Sequence, residues 1–319
     1  MESNINNINS NNINNNNNIE IENNNNNENE NKNNNNIENE NNNNNNNDLN
    51  SSWDGITKEY DYVHDFEFTD EIKQNAINII NEDNTELNED LSNQNKNWEK
   101  FYKNNKSNFF QDRHYILKEF TELKEDNRPS ISLLDIGCGV GNSFYPLIKV
   151  KSNLIVYAFD FSNRAINNAK THSIYEKIKN RIFLKKLDLV NDEIDYPSCD
   201  YGILMFVLSA IKPEFHEKVI KKISEKINKN GILYFRDYAR YDMAQIRFAL
   251  RKKNKVGENL YMRKDKTLSY FFEQKEIENL FNKYNFKTVN SKLICRVIEN
   301  RKENKKMNRL WLQIKFEKI

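Results

Sequence analysis

Cysteine is scarce in this 319-residue chain: Cys138, Cys199 and Cys295 are the whole complement, and no two stand at a CxxC spacing. That argues against a disulfide framework or a zinc site and fits a reducing setting, so a cytoplasmic location, with the nucleus as a second compartment, is expected. No apolar run is long enough for a secretion signal or a membrane span, and the first residues hold almost no Arg, which makes a poor transit peptide. Apolar residues are sparse at the start as well. Asn dominates from Asn4 onward and runs unbroken from Asn41 to Asn47. Such a segment cannot bury enough apolar surface to offset its ordering entropy, so residues 1–50 read as a disordered Asn-rich tail.

Glycine is the most informative scarcity. There are seven, and three of them fall at alternate positions in Leu133-Leu134-Asp135-Ile136-Gly137-Cys138-Gly139-Val140-Gly141-Asn142. An apolar strand that breaks into such a turn needs positive φ and close backbone approach, and glycine supplies both. The helix that follows aims its first N–H groups at whatever lies over the turn. Asn142 occupies the sixth position, so the G-x-G-x-x-G dinucleotide pattern fails and an oxidoreductase is disfavoured.

Charge is divided unevenly. Residues 1–97 carry 4 Lys/Arg against 20 Asp/Glu, whereas residues 98–319 carry 44 against 27. A basic part behind an acidic leader points to a polyanionic partner, most simply nucleic acid; a lysine-rich solvated surface is the plain alternative. Residues 51–97 read as acidic leader and linker, with one short amphipathic helix at Asp70–Ile80 started by Thr69 and a polar linker from Glu82 to Asn97. Aromatics then crowd in, and Trp98, Phe101 and Tyr102 share one helix face, either a cap on the core or a lid over a site.

From Ile131 the pattern alternates. Strands are expected at Ile131–Ile136, Leu154–Phe159, Arg181–Leu187, Tyr201–Val207 and Gly231–Phe235. Helices are expected from about Asn142, from the cap at Ser162, and from Pro213 to about Asn228. This is an α/β fold with a mostly parallel sheet and helices on both faces. Phe286–Ile298 and Leu310–Phe316 add an antiparallel edge hairpin around a basic loop at Arg301, Lys302, Lys305 and Lys306. Ligands in such sheets bind beyond the carboxyl ends of the strands. That rule selects Gly137, Gly139, Gly141, Asp160, Asp188, Leu189, Met205, Phe206, Arg236, Asp237 and Tyr238. Asp160, one strand–helix–strand unit after the glycines, is placed to accept two ribose hydroxyl hydrogens.

G-x-G-x-G two residues after an acid resembles the S-adenosylmethionine (SAM) turn of class I methyltransferases. Further stretches narrow the resemblance: Trp98-Glu99-Lys100-Phe101-Tyr102, Phe109-Phe110-Gln111-Asp112-Arg113-His114, Phe206-Val207-Leu208-Ser209-Ala210-Ile211-Lys212-Pro213, Phe235-Arg236-Asp237-Tyr238, Gly257-Glu258-Asn259-Leu260-Tyr261 and Ser269-Tyr270-Phe271-Phe272. From about Asn97 to the C-terminus the chain resembles the tRNA N(3)-methylcytidine methyltransferases. The resemblance implies a SAM-dependent enzyme with a Rossmann-like class I domain over 98–319 and an aromatic lid at its start. It implies cofactor contacts at Trp98, Tyr102, Gly137, Asp160, Asp188, Leu189 and Met205. It also implies methylation of cytidine 32 in the tRNA anticodon loop, with the serine branch and seryl-tRNA synthetase as a partner. Asp135 stands where relatives often have Glu, and Gln111 replaces a usual Lys.

Cytosine N3 carries an in-plane lone pair, so little beyond alignment and water exclusion is needed. Asp237 is a candidate to stabilise the cationic product ring. Phe109, Phe110, Tyr238 and Tyr261 are candidates to stack on the turned-out base, Arg113, Arg236, Arg247 and Arg263 to hold phosphates, and His114 to move a proton. A class I methyltransferase acting on a protein or small molecule, or a non-catalytic RNA-binding member, are the alternatives.

Overall fold

The computed structural model describes residues 64–105, 112–300 and 305–319; the side chains at 299, 300 and 305 are outside the description. The expectations for the tail, for Phe109 and Phe110, and for Arg301 and Lys302 therefore lie outside the described residues. One eight-stranded sheet carries the fold. Its parallel half comprises β2 (Ile131–Ile136), β3 (Leu154–Asp160), β4 (Ile182–Lys186), β5 (Cys199–Met205) and β6 (Ile227–Tyr238). Its antiparallel end comprises β10 (Phe286–Asn300), β11 (Lys305–Lys318) and the two-residue β1 (His64–Asp65). The order is β1-β10-β11-β6-β5-β2-β3-β4, so β2 lies between β3 and β5 and the strand order reverses there. The crevice that this reversal opens is where an α/β sheet takes its ligand.

The strands on either side of β2 are apolar on both faces, as buried parallel strands are. Helices α5 (Phe144–Val150) and α6 (Asn163–Ala169) follow β2 and β3, and α7 (Tyr175–Ile178) precedes β4. The Ser162 hydroxyl accepts from the Ala165 N–H at 3.1 Å and caps α6. The helix expected from Pro213 is a 3₁₀ turn, Pro213–Phe215, continued by α8 (His216–Ser224); it stops early because Ile227 already begins β6. Strand β5 ends at Met205 because Phe206 takes φ +57°, which leaves the extended region.

The long segment between β6 and the hairpin gave no expected elements. It forms α9 (Met243–Arg251), a three-stranded antiparallel sheet of β7 (Lys255–Gly257), β8 (Leu260–Met262) and β9 (Leu268–Tyr270), and α10 (Gln274–Asn282).

Residues 64–97, read as leader and linker, lie along this segment. Helix α1 (Asp70–Asn81) is capped by Thr69 as expected. Beyond it the Leu87 N–H donates to the Lys255 carbonyl at 2.8 Å, and Lys255 Nζ donates to the Asp83 carbonyl at 2.9 Å. Lys266 pairs with Glu89 at 2.9 Å, and Leu87 and Leu91 pack on the main core. Helix α2 (Gln94–Asn105) starts four residues before Trp98, and short helices α3 (Ile116–Glu119) and α4 (Thr121–Glu125) lead into β2.

One buried carboxylate ties the late segment to the sheet. Asp242, fully buried, caps α9 through the Ala244 N–H at 2.8 Å and accepts from the Leu310 N–H at 2.8 Å and from Arg309 Nε at 2.9 Å. Removing it strands the Arg309 charge and two donors. Asp242→Ala is expected to lower unfolding stability by about 3 kcal/mol, read as a reduced urea midpoint at unchanged slope.

Candidate active site

A cavity of about 350 Å³ opens over the carboxyl ends of β2, β3, β4 and β5. Its floor is the glycine turn. Gly137 has φ +64°, and a Cβ there would sit 2.6 Å from a Val207 methyl; Gly139 has φ +56°, and a Cβ there would sit 2.8 Å from the Tyr102 hydroxyl. Both positions favour glycine, for the backbone angle and for the space. The Gly139 N–H donates to Asp160 Oδ2 at 3.0 Å, and the Ser162 N–H donates to Asp160 Oδ1 at 2.9 Å. The acid thus joins the turn after β2 to the turn after β3. Two of its four acceptor positions are used, and Asp160 lines the cavity with the rest. Burial pushes its carboxyl up to about 6 despite those two N–H groups. Asp135, beneath the turn, is pushed up to about 7 by burial against the opposing charge of Arg113.

The loop after β4 forms one wall, with Leu187, Asp188, Leu189, Val190 and Asn191. The loop after β5 forms another, from Phe206 to Phe215. Trp98 and Tyr102 of α2 line the cavity as well, and burial pushes the Tyr102 hydroxyl well above the usual phenol range.

Phe206 is shared between this cavity and an aromatic and arginine cluster beyond it. Its ring lies 5.2 Å from Tyr238 and 6.0 Å, edge-on, from Trp311. The Arg113 guanidinium stands 5.5 Å over Phe206, and those of Arg263 and Arg309 each stand 5.5 Å from Tyr238. Arg263 Nη2 donates to the Tyr238 hydroxyl at 3.1 Å. Pairing of β11 with β6 sets Trp311 opposite Tyr238 and so completes the cluster.

Comparison with known proteins gives this arrangement a lineage. A methyltransferase domain family matches residues 109–291. The tRNA N(3)-cytidine methyltransferase METTL6 of Homo sapiens is 39% identical over 229 residues, which are 70% of this chain and 80% of that protein. The tRNA N(3)-methylcytidine methyltransferase trm141 of Schizosaccharomyces pombe is 38% identical over 70% of this chain and 92% of its own. The chain belongs to the tRNA N(3)-cytidine methyltransferase family. O-methyltransferase 3 of Dictyostelium discoideum is 37% identical over 63% of the chain, but the match spans only 47% of that protein. A solved SAM-dependent methyltransferase from Anabaena variabilis shares the fold at TM-score 0.51 and 15% identity, over 70% of this chain and 95% of its own.

S-adenosylmethionine is the cofactor of this methyltransferase, and the residues present fit it. The glycine cradle takes a close ligand, Asp160 offers acceptors to a vicinal diol, and Leu189 and Phe161 offer apolar area for a flat ring. Of the residues expected to meet it, Trp98, Tyr102, Gly137, Asp160, Asp188 and Leu189 line the cavity. Gly139 serves through its N–H and the room it leaves for Tyr102. Gly141 and Met205 do not line it. A Cβ on Gly141 would meet the rings of Phe144 and Tyr145, so that glycine lets α5 pack close. Met205 points into the core, where its sulfur accepts from the Tyr115 hydroxyl at 3.6 Å.

The substrate expectations divide more sharply. Tyr238, Arg113 and Arg263 meet in the cluster. Asp237 does not reach the cavity: it is fully buried and accepts from the N–H groups of Ser209 and Tyr238 at 3.0 and 2.9 Å, so it braces the loop after β5. Arg236 is not free for phosphate. It is buried, pairs with Glu119 at 2.7 Å, bonds Gln313 and lies 4.0 Å over the Tyr115 ring. Tyr261 is fully buried and stacks on Phe248 at 5.6 Å. His114 is half-buried before α3, and burial lowers its pKa. Arg247 is exposed on α9, apart from the cavity lining. Sequence reasoning missed Leu91, Ser92, Gln94 and Asn95 on the cavity, and Arg309 and Trp311 in the cluster.

Only the ionised Asp160 accepts from both hydroxyls of a ribose. With its carboxyl at about 6, and Tyr102, Asp135, Cys138 and Glu99 as its charged or titratable neighbours, the ionised fraction falls as pH drops through that value. SAM affinity by calorimetry is therefore expected to hold from pH 7 to 8 and to weaken about tenfold per unit below pH 6. Asp160→Ala is expected to weaken SAM about a hundredfold at pH 7.5 and to remove that dependence.

Proposed function

We propose that this enzyme methylates N3 of cytidine 32 in the anticodon loop of tRNA, serine tRNAs foremost, with seryl-tRNA synthetase as its partner. The observation that carries this reading is the Phe206–Tyr238–Trp311 cluster with Arg113, Arg263 and Arg309, set against the cofactor cavity. N3 lies on the pairing edge, so the base must leave any stack and enter a pocket. Aromatic faces receive such a base, and the guanidinium groups of Arg113 and Arg263 meet the phosphates on either side of it, while Arg309 stays paired with Asp242.

When bound, SAM supplies a methyl group on a positively charged sulfur. The chain's own part is alignment. The glycine turn and Asp160 fix one reactant, Phe206 separates and orients the other, and Trp98 and Tyr102 exclude water. Neutral cytosine has no proton to lose from N3 before attack.

The test is methylation of unmodified serine tRNA by the purified full chain with SAM, read by nuclease digestion and mass spectrometry. The product expected is 3-methylcytidine at position 32, absent from a transcript carrying uridine there and increased by added seryl-tRNA synthetase. Methyl on another nucleotide, or none on RNA, would sink the proposal.

Long-range attraction is assigned to the exposed end of α9, where Arg247, Arg251, Lys252 and Lys253 stand together. If they track the RNA backbone, replacing Lys252 and Lys253 with Ala should reduce the slope of log K against log salt by roughly 1.4–1.8. It should also weaken all tRNAs alike. Filter binding across a salt series measures this.

A further inference from the structure

Burying a polar side-chain atom without a partner is costly, and such atoms are rare in folded chains. Among the described residues that have one, Gln94 is the residue that lines the cofactor cavity, and its buried Oε1 accepts no hydrogen bond. Gln94 opens α2 and shares a face with Trp98 and Tyr102, each four residues further on. At 1.5 Å of rise per residue, the three span roughly 12 Å. The Tyr102 hydroxyl stands over Gly139, at the glycine turn. Gln94 therefore faces the other end of the cavity. The loop after β4, which lines the same cavity, lies two strands and roughly 10 Å from the turn after β2.

We propose that the Gln94 carboxamide binds the adenine edge of the cofactor, its Oε1 accepting from the exocyclic amine. A carboxamide presents an acceptor and a donor side by side, the pattern that matches an adenine amine and its neighbouring ring nitrogen. Asp188 meets that edge with several of its acceptor positions already in use. Its Oδ1 already accepts from the Val190 N–H at 2.9 Å and its Oδ2 from Asn191 Nδ2 at 2.9 Å. Both of its oxygens hold the loop's own turn, whereas Gln94 has an acceptor with no other use. The inference rests on the cofactor and not on the RNA substrate, and its test contains no RNA.

The experiment is calorimetry of the full chain with S-adenosylhomocysteine and with its analogue carrying unsubstituted purine in place of adenine. Wild type is expected to prefer the adenine compound. Gln94→Leu is expected to bind that compound about tenfold more weakly, to bind the purine analogue as before, and so to lose about tenfold of the preference. The preference is a ratio within one protein, so a general loss of folding scales both affinities together and leaves it intact. An unchanged ratio in Gln94→Leu, or no preference in wild type, overturns the proposal.

Discussion

The site depends on one buried carboxylate. Asp160 ends β3, yet its two oxygens take an N–H from the turn after β2 and an N–H from the turn that starts α6. Neighbouring parallel strands are fixed along their length by the ladder, but their ends are free to splay. Asp160 closes that gap at the point where the strand order reverses. Because backbone groups at 3.0 and 2.9 Å hold the acid, it keeps its place before any ligand arrives. The burial that raises its pKa to about 6 is thus the same burial that makes it a strong acceptor for a ligand hydroxyl.

Around that point the molecule uses side chains in pairs of roles. Asp237 holds Ser209 and Tyr238, and so sets the loop whose first residue is Phe206. Arg236 holds Glu119 and lies over Tyr115, and so braces the approach to Arg113. Phe206 itself is held at positive φ, a conformation a bulky residue adopts only when its surroundings enforce it. The strain places one ring against both the cavity and the aromatic cluster.

How much of this was legible follows from what each signal encodes. The parallel sheet and the glycine turn were read correctly because alternation, spacing and glycine chemistry are local. Trp98 and Tyr102 were readable as one helix face. Residues 82–97 were not readable as a cavity wall, because Leu87 and Leu91 stand alone among acids and amides and form no periodic pattern. Their order comes from the β7–β9 sheet, whose short strands gave no signal of their own. Arg236 and Tyr261 looked like contacts for RNA because residue type reports chemistry and not burial; the structure encloses both. Trp311 became part of the cluster only through its register with Tyr238, a pairing far apart in sequence.

The strap formed by residues 83–98 also bears on modularity. The region recognised as a methyltransferase domain starts at residue 109, but Leu91, Ser92, Gln94, Asn95, Trp98 and Tyr102 all precede it and all line the cofactor cavity. A graft or truncation cut at that boundary would carry the sheet and the glycine turn with one wall missing. Contacts with the sheet reach further upstream still, past α1 to the short strand His64–Asp65 that pairs with Arg296 and Val297.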